Sequence, residues 1–349
     1  MPNLYIGVEQ FKRRAGKWGA AENDTILEII KGVSQFIEDE TNQNFFPVTA
    51  TRLYPWPAWA PGRSWVLWVD RHLISVATLL AKAQDSSPTT IPAADFFLEP
   101  QEFGPPYTRI EIDRSSNSAF EAGDTQQRSI SVAGDWGHSA TTEAAGALAE
   151  DLDNSETGVD VTDSSKVSIG DTILVDSERM FVESKDLLTT TATLNGGIAA
   201  DKSIVSVTFS NGALVKAGET VTVDSERMYV ESIGGNVGTV VRAYDGSVLA
   251  AHNNGAIVYA PRTLNVTRAV NGSTAATHSS AGAIVRYVAP ADVRLWCMAE
   301  TIAAYEQEKA GWGRAIGAGE GAREFNGRSL SQWRKQVKEN YYFMRYTAI

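Results

Sequence analysis

The chain has few of the residues from which metal and redox sites are built. Its 349 residues include one cysteine, Cys297, and four histidines, His72, His138, His252 and His278. One cysteine excludes an internal disulfide and a cysteine-based zinc site. Its apolar helical surroundings predict a buried structural thiol. The last two histidines hold equivalent positions in a repeat, so they are either a metal-binding pair or, more commonly, repeated structural residues.

Long apolar runs are also absent. No stretch approaches the roughly 18 continuous apolar residues that span a bilayer, and MPNLYIGVEQFKRRAG has no apolar run of signal-peptide length. The glycine-rich GWGRAIGAGEG matches neither common phosphate-binding motif. We therefore expect a protein without a membrane partner, made in the cytosol and used there or in a particle assembled there.

Charge is unevenly distributed along the chain. The net charge is −11, yet residues 311–349 carry seven Lys/Arg against three Asp/Glu, whereas residues 143–290 carry ten against eighteen. An acidic bulk with a basic tail favours a local docking site over a protein that binds nucleic acid along its whole surface.

Apolar periodicity predicts helices at both ends of the chain, over residues 8–17, 24–41, 290–311 and 329–342. Thr25 and Glu28 fit a capping box for the second of them. Residues 51–136 alternate in the manner of strands. We thus predict an α+β fold: helical N- and C-terminal segments surround a small antiparallel β unit (residues 1–140 plus 289–349), and residues 141–288 form an inserted all-β barrel or sandwich.

The predicted insertion contains an internal repeat. DSERMFVES at residues 176–184 returns as DSERMYVES at residues 224–232, and RAYDGSVLAAH at 242–252 returns as RAVNGSTAATH at 268–278, with LNGGIAAD at 194–201 as a worn copy. Each DSERM stretch predicts a hairpin with a short Asp-Ser turn. Strand alternation predicts that eight residues face inward: Ile173, Val175, Met180, Val182, Val221, Val223, Met228 and Val230.

The repeated carboxylates Asp176, Glu178, Asp224 and Glu226 are the nearest approach to a catalytic or calcium-binding set. Asp-x-Glu at a turn lacks the glycine and the ligand series of a calcium loop. Carboxylates used as acid and base need different environments, whereas copies inherit similar ones. We expect solvated turn carboxylates, no enzyme activity, and neither metal nor cofactor.

Two aromatic groups are candidates for binding. Trp56, Trp59, Trp65 and Trp68 suit carbohydrate stacking or, more commonly, a core or subunit interface. The tail QWRKQVKENYYFMRY interleaves aromatic with basic side chains, as interface hot spots do, although nucleic-acid binding uses the same residues. We expect protein docking there, through Trp333, Arg334, Lys338, Tyr341, Tyr342, Arg345 and Tyr346.

Four stretches, taken in order, resemble the head–tail connector (adaptor, or head-completion) proteins of tailed bacteriophages. They are ILEIIKGVSQFIEDETNQNFFP, LISVATLL, DFFLEPQEFGPPYTRIEI and ISVAGDWG, followed by the helical PADVRLWCMAETIAAY. The resemblance covers residues 4–139 and 289–346. Roughly 150 residues that depart from the family pattern lie between its two parts, and their repeated phrases look like β modules of phage structural proteins.

The resemblance implies a structural virion protein assembled in the host cytoplasm. It would form a homo-oligomeric ring, usually of twelve copies, beneath the portal, with its C-terminal segment on the portal and tail proteins on the far side. Viral DNA would pass through the ring without sequence-specific binding, because an acidic channel repels phosphates. The alternative from another class is a tail-fibre or baseplate-like protein that binds carbohydrate through the tryptophans and the β repeats.

Overall fold

A computed structural model describes residues 3–16, 19–56, 64–310, 315–316, 323–324 and 327–343. Four α-helices lie in these residues: α1 (Val8–Ala15), α2 (Asn23–Thr41), α3 (Ala291–Lys309) and α4 (Gly327–Tyr341). The predicted second helix is confirmed, but its predicted capping box is wrong. The residue before α2 is Glu22, which makes no capping bond and instead accepts hydrogen bonds from Tyr305 and Lys309.

The first sheet has six strands. They are β1 (Val48–Tyr54), β2 (Val66–Ala81), β3 (Thr89–Ile91), β4 (Phe96–Glu99), β5 (Tyr107–Ile112) and β6 (Ile130–Trp136). The antiparallel order is β1-β6-β2-β5-β4, with β3 beside the far end of β2. Side chains such as Leu73, Ile110 and Val132 form its core.

The second sheet has ten strands between residues 142 and 287. They are β7 (Thr142–Ala147), β8 (Gly158–Asp160), β9 (Thr172–Val175), β10 (Glu178–Thr193), β11 (Ser206–Thr208), β12 (Thr220–Val223), β13 (Glu226–Gly234), β14 (Val237–Val241), β15 (Ile257–Thr267) and β16 (Ala283–Tyr287). The order is β11-β14-β13-β12-β15-β10-β9-β16-β7, with β8 on β15. A short pair, β17 (Ala315–Ile316) and β18 (Arg323–Glu324), lies apart from both sheets.

The ten-stranded sheet consists of two similar modules, one inserted into the other. The outer module comprises residues 142–186 and 263–287, and the inner module is the segment 187–262 between them. Hairpin β9–β10 pairs with the end of β15 in the outer module just as hairpin β12–β13 pairs with β14 in the inner one. Each pairing has the same register shift, after Val182 and after Val230. The LNGGIAAD stretch is therefore the entry to the inner module, not a third copy.

Each module has its own core, and the eight side chains predicted to face inward are all buried. Ile173, Val175, Met180 and Val182 lie in the outer core, which takes no residue from 187–262. Val221, Val223, Met228 and Val230 lie in the inner core, whose members all fall within that segment. The duplicated module thus folds as two separate apolar units that share strands β10 and β15.

The predicted fold class is wrong. The chain is mostly β, with two large antiparallel sheets and 23 % helix, rather than helical ends around a small β unit. Two apolar runs that resemble separate short strands join into the 16-residue β2, and strands far apart in sequence pair, such as β7 with β16. Local alternation cannot reveal such pairing, because register depends on partners that sequence spacing does not identify.

The four helices pack into a core that both parts of the chain share. Trp296 and Cys297 of α3 are fully buried in it beside Ile30 of α2. The outer module contributes buried side chains to the same core, namely Ile169, Phe181, Val270 and Tyr287. The ten-stranded sheet is therefore packed against the helices through apolar contacts and is not tethered by its ends alone.

Candidate functional site

A buried ion cluster closes the hairpin turn of each module. In the outer ion cluster, Glu178 accepts hydrogen bonds from Arg268 Nε and Nη2 at 2.6 Å and lies 3.0 Å from His278 Nε2. In the inner ion cluster, Glu226 lies 2.7 and 2.8 Å from Arg242 Nε and Nη2 and 3.0 Å from His252 Nε2. Both glutamates are completely buried.

Each cluster is completed by a second carboxylate and by the backbone. Asp176 Oδ2 and Asp224 Oδ2 lie 2.7 Å from the Nδ1 atoms of His278 and His252. Each histidine therefore has a carboxylate oxygen within hydrogen-bond distance of both ring nitrogens. Backbone N–H groups also donate to the buried glutamates: those of Ala269 and Ala276 to Glu178, and those of Ala243 and Ala250 to Glu226.

These contacts decide the protonation of the glutamates. Burial alone would raise the pKa of Glu178, but the hydrogen bonds from Arg268, His278 and the Ala276 N–H outweigh it and lower the pKa to about 2. Glu226 is lowered to about 2 in the same way by its own arginine, backbone and histidine bonds. Each glutamate thus joins its hairpin turn to the loop that supplies the arginine and the histidine.

The expectation of solvated turn carboxylates is thus half correct. The side chains of Asp176 and Asp224 are 73 % and 63 % exposed, but Glu178 and Glu226 are buried. His252 and His278 belong to separate clusters and do not form a pair. In the described residues, no group of three or more His, Cys, Asp or Glu side chains is arranged so that it could hold a metal ion. The spacing of ten residues from arginine to histidine, kept in both copies, was the signal that these groups act together.

Two histidines face each other where residues 341–343 pack against the six-stranded sheet, and no sequence spacing indicates their contact. His72 on β2 and His138 after β6 face each other with 3.3 Å between their Nδ1 atoms. His72 contacts the ring of Phe343, and His138 contacts the ring of Tyr341. The Phe343 N–H donates to the Thr41 carbonyl. Burial, and then the charge of its neighbour, lowers the pKa of His72 to about 4, and burial likewise lowers that of His138 against the opposing effect of Asp292.

We expect this pair to weaken the protein in mild acid. Unfolded histidine has a pKa of about 6.5, so the folded pair resists protonation, and stability falls as the pH drops from about 6.5 towards 4. Glu38, whose pKa burial raises to about 7, acts in the opposite direction. Glu38 is present both in the wild type and in a His72→Phe, His138→Phe variant, so its contribution cancels when the two are compared. The difference between their urea midpoints therefore reports the effect of the two histidines. The wild type should lose more stability than the variant between pH 7 and 5; equal losses would contradict the assignment.

The predicted docking residues of the C-terminal helix divide into two groups. Arg334 makes two hydrogen bonds to Glu300, Lys338 pairs with Glu40 and Tyr341 donates to Asp292, so these three hold α4 to its own chain. Trp333 and Tyr342 are 42 % and 51 % exposed. Arg345 and Tyr346 lie outside the described residues.

The tryptophans do not form an exposed platform in the described residues. Trp56 and Trp65 pack against the core of the six-stranded sheet, and the Trp56 indole donates to the Phe120 carbonyl. The guanidinium carbon of Arg109 lies over the Trp68 ring, 5.3 Å from the ring centroid. Trp59 lies outside the described residues.

Cys297 is buried as predicted, and burial raises the pKa of its thiol to about 12.

Comparisons with known proteins add no family assignment. No protein-family model, curated protein or solved structure matches this chain. In the residues described, no helix combines the length and apolar character needed to cross a bilayer.

Proposed function

We propose that this chain is a structural virion protein of a tailed bacteriophage, a head–tail connector that forms a homo-oligomeric ring between portal and tail. One observation carries the proposal: the segments that resemble the connector family lie together in space. The first forms α2, on which α3 packs. The others form β2, the β4–β5 hairpin and β6, which are neighbours in the six-stranded sheet. The two groups adjoin where the first segment ends, since the His138 N–H just after β6 donates to the Asn44 carbonyl.

The chemistry of the described residues supports an assembly role over a catalytic one. The buried carboxylates of both ion clusters are committed to arginine, histidine and backbone partners. The net charge of −11 suits a ring through which DNA slides. Within this proposal, Trp333 on α4 and Tyr342 just after it face the portal, because Arg334, Lys338 and Tyr341 make contacts within the chain.

The experiment that tests this function is negative-stain imaging of the purified chain. Rings with a central channel, about twelve subunits around, are the expected result. Elongated trimers would instead favour a tail-fibre protein. A monodisperse small particle at every concentration would contradict the connector assignment.

A further inference from the structure

A cavity of about 210 Å³ lies where α1 faces the inner module. Its walls come from α1, from the loop before β9, from β10 and from the β12–β13 hairpin with the turn at Tyr244. Seven charged side chains line it. They are Glu9, Lys12, Arg13, Lys185, Glu219, Arg227 and Asp245.

The three carboxylates of the cavity are each neutralised by a separate cation. These cations are nearly buried, with 5–8 % of the side chain exposed, so they are held in place by the protein. The pairs are Glu9 with Lys185 (2.8 Å), Asp245 with Lys12 (2.6 Å) and Glu219 with Arg262 (2.7 Å). The charge that remains in the cavity is therefore that of two arginines, Arg13 and Arg227.

Arg13 projects from α1 between two openings. No carboxylate of the described residues lies within ion-pair distance of it. It also lines a second, open depression of about 510 Å³, together with Lys166 and Arg286. An exposed guanidinium shared by two concave surfaces is available to an anion that enters from either side.

The duplicated module provides an internal comparison for Arg227. Its counterpart in the outer module, Arg179, is 8 % exposed and donates to Tyr287, Thr49, Asn271 and Asp135. Arg227 is 39 % exposed. In the described residues its side chain donates to the Asp245 carbonyl and otherwise has only a 3.5 Å contact with a carboxylate that Lys12 already neutralises. The same sequence motif thus gives a guanidinium with four hydrogen-bond partners at Arg179 and a partly exposed one with few partners at Arg227, on the cavity wall.

We propose that this cavity binds a small polyanion bearing phosphate groups, with Arg13 and Arg227 as the anion-binding residues. A guanidinium presents a planar fork of donors that matches phosphate oxygens and pairs with them bidentately. Two such forks at one cavity suit a ligand with two phosphates, such as pyrophosphate or the diphosphate of a nucleotide. The site is independent of the proposed connector ring, because both arginines belong to one chain.

Isothermal titration calorimetry of the full chain with sodium pyrophosphate tests the site by measuring the dissociation constant. Arg13→Gln and Arg227→Gln should each weaken binding about tenfold or more, since each removes a charge-assisted hydrogen-bond donor group. Arg14→Gln is the matched control: it removes the same charge from the same helix at an exposed position outside the cavity lining. It should leave the dissociation constant within about twofold of wild type.

Two results would overturn the proposal: no binding at millimolar pyrophosphate, or equal weakening by Arg14→Gln. Thermal unfolding of each variant shows whether it is folded, and both cavity arginines are exposed enough to be replaced without opening a core. A short oligothymidine distinguishes the source of the phosphates. If it displaces pyrophosphate, the site takes a nucleic-acid backbone, and if it does not, the site takes a free phosphorylated molecule.

Discussion

Replacing Glu178 with glutamine is expected to lower the free energy of unfolding by about 3–5 kcal/mol. Glutamine keeps the shape of the side chain but removes the negative charge, which leaves the nearly buried guanidinium of Arg268 without its carboxylate partner. Breaking a buried ion pair on one side costs this much because the remaining charge is desolvated and uncompensated. Urea unfolding at pH 7 measures the change, and Glu226→Gln should behave alike in the inner module.

The matched control is Asp176→Asn, which removes a carboxylate from the same cluster at a position that is 73 % exposed. It should cost no more than about 1 kcal/mol, as exposed ion pairs do. The depressed pKa of Glu178, about 2 against about 4.3 when unfolded, means that its contribution is complete above the unfolded value and is lost as the pH falls towards 2. A Glu178→Gln loss as small as that of Asp176→Asn would show that the ion cluster does not stabilise the fold.

Excising the inner module is expected to leave a folded protein. Asp186 pairs with Thr263 in the outer module just as Gly234 pairs with Val237 across the turn Gly235–Asn236 in the inner one. Residues 187–262 can therefore be replaced by Gly-Asn. The excision removes the whole inner core and no member of the outer core or of the helical core. Circular dichroism and thermal unfolding should show a cooperative β-rich chain that melts a few degrees lower.

The contrasting deletion is that of residues 142–288. Its ends are also adjacent, since the Val288 N–H donates to the Thr141 carbonyl at 3.0 Å, so chain closure is equally simple. This deletion, however, removes Ile169, Phe181 and Tyr287 from the helical core. Large-to-small changes at single core positions already cost about 2–5 kcal/mol, so we expect cooperative unfolding to be lost. If both shortened chains fold equally well, the helical core does not need residues 142–288, and the description of a core shared with the outer module is wrong.

Local pattern was sufficient to predict the segments but not their arrangement. The alternation of Ile173, Val175, Met180 and Val182 predicted their burial, because strand periodicity is a property of neighbouring residues. The helix α2 followed from its apolar stripe for the same reason. The nesting was not predicted, although the order of the phrases carries a sign of it: the two DSERM stretches precede both RA…H stretches, whereas tandem copies would alternate them. Which strands then pair, β10 with β15, depends on contacts that sequence spacing does not identify.

The site shows the same division. The Asp-Ser-Glu pattern of each hairpin turn is typical of solvated carboxylates. Glu178 and Glu226 are nevertheless buried, because residues 268–278 and 242–252 supply the arginine and histidine that pair with them. His72 and His138 are 66 residues apart and meet through β2 and β6, so no spacing indicates their contact. The availability of Arg227, in contrast with Arg179, depends on contacts that two identical DSERM motifs do not encode.

The most direct test of the proposed function is the mass of the assembled particle. Native mass spectrometry of the full chain, at several concentrations, should show a closed oligomer of about twelve times the 37.7 kDa chain, with few intermediate sizes because a ring closes by cyclic symmetry. A monomer at all concentrations, or a trimer, would contradict the account of this chain as a head–tail connector.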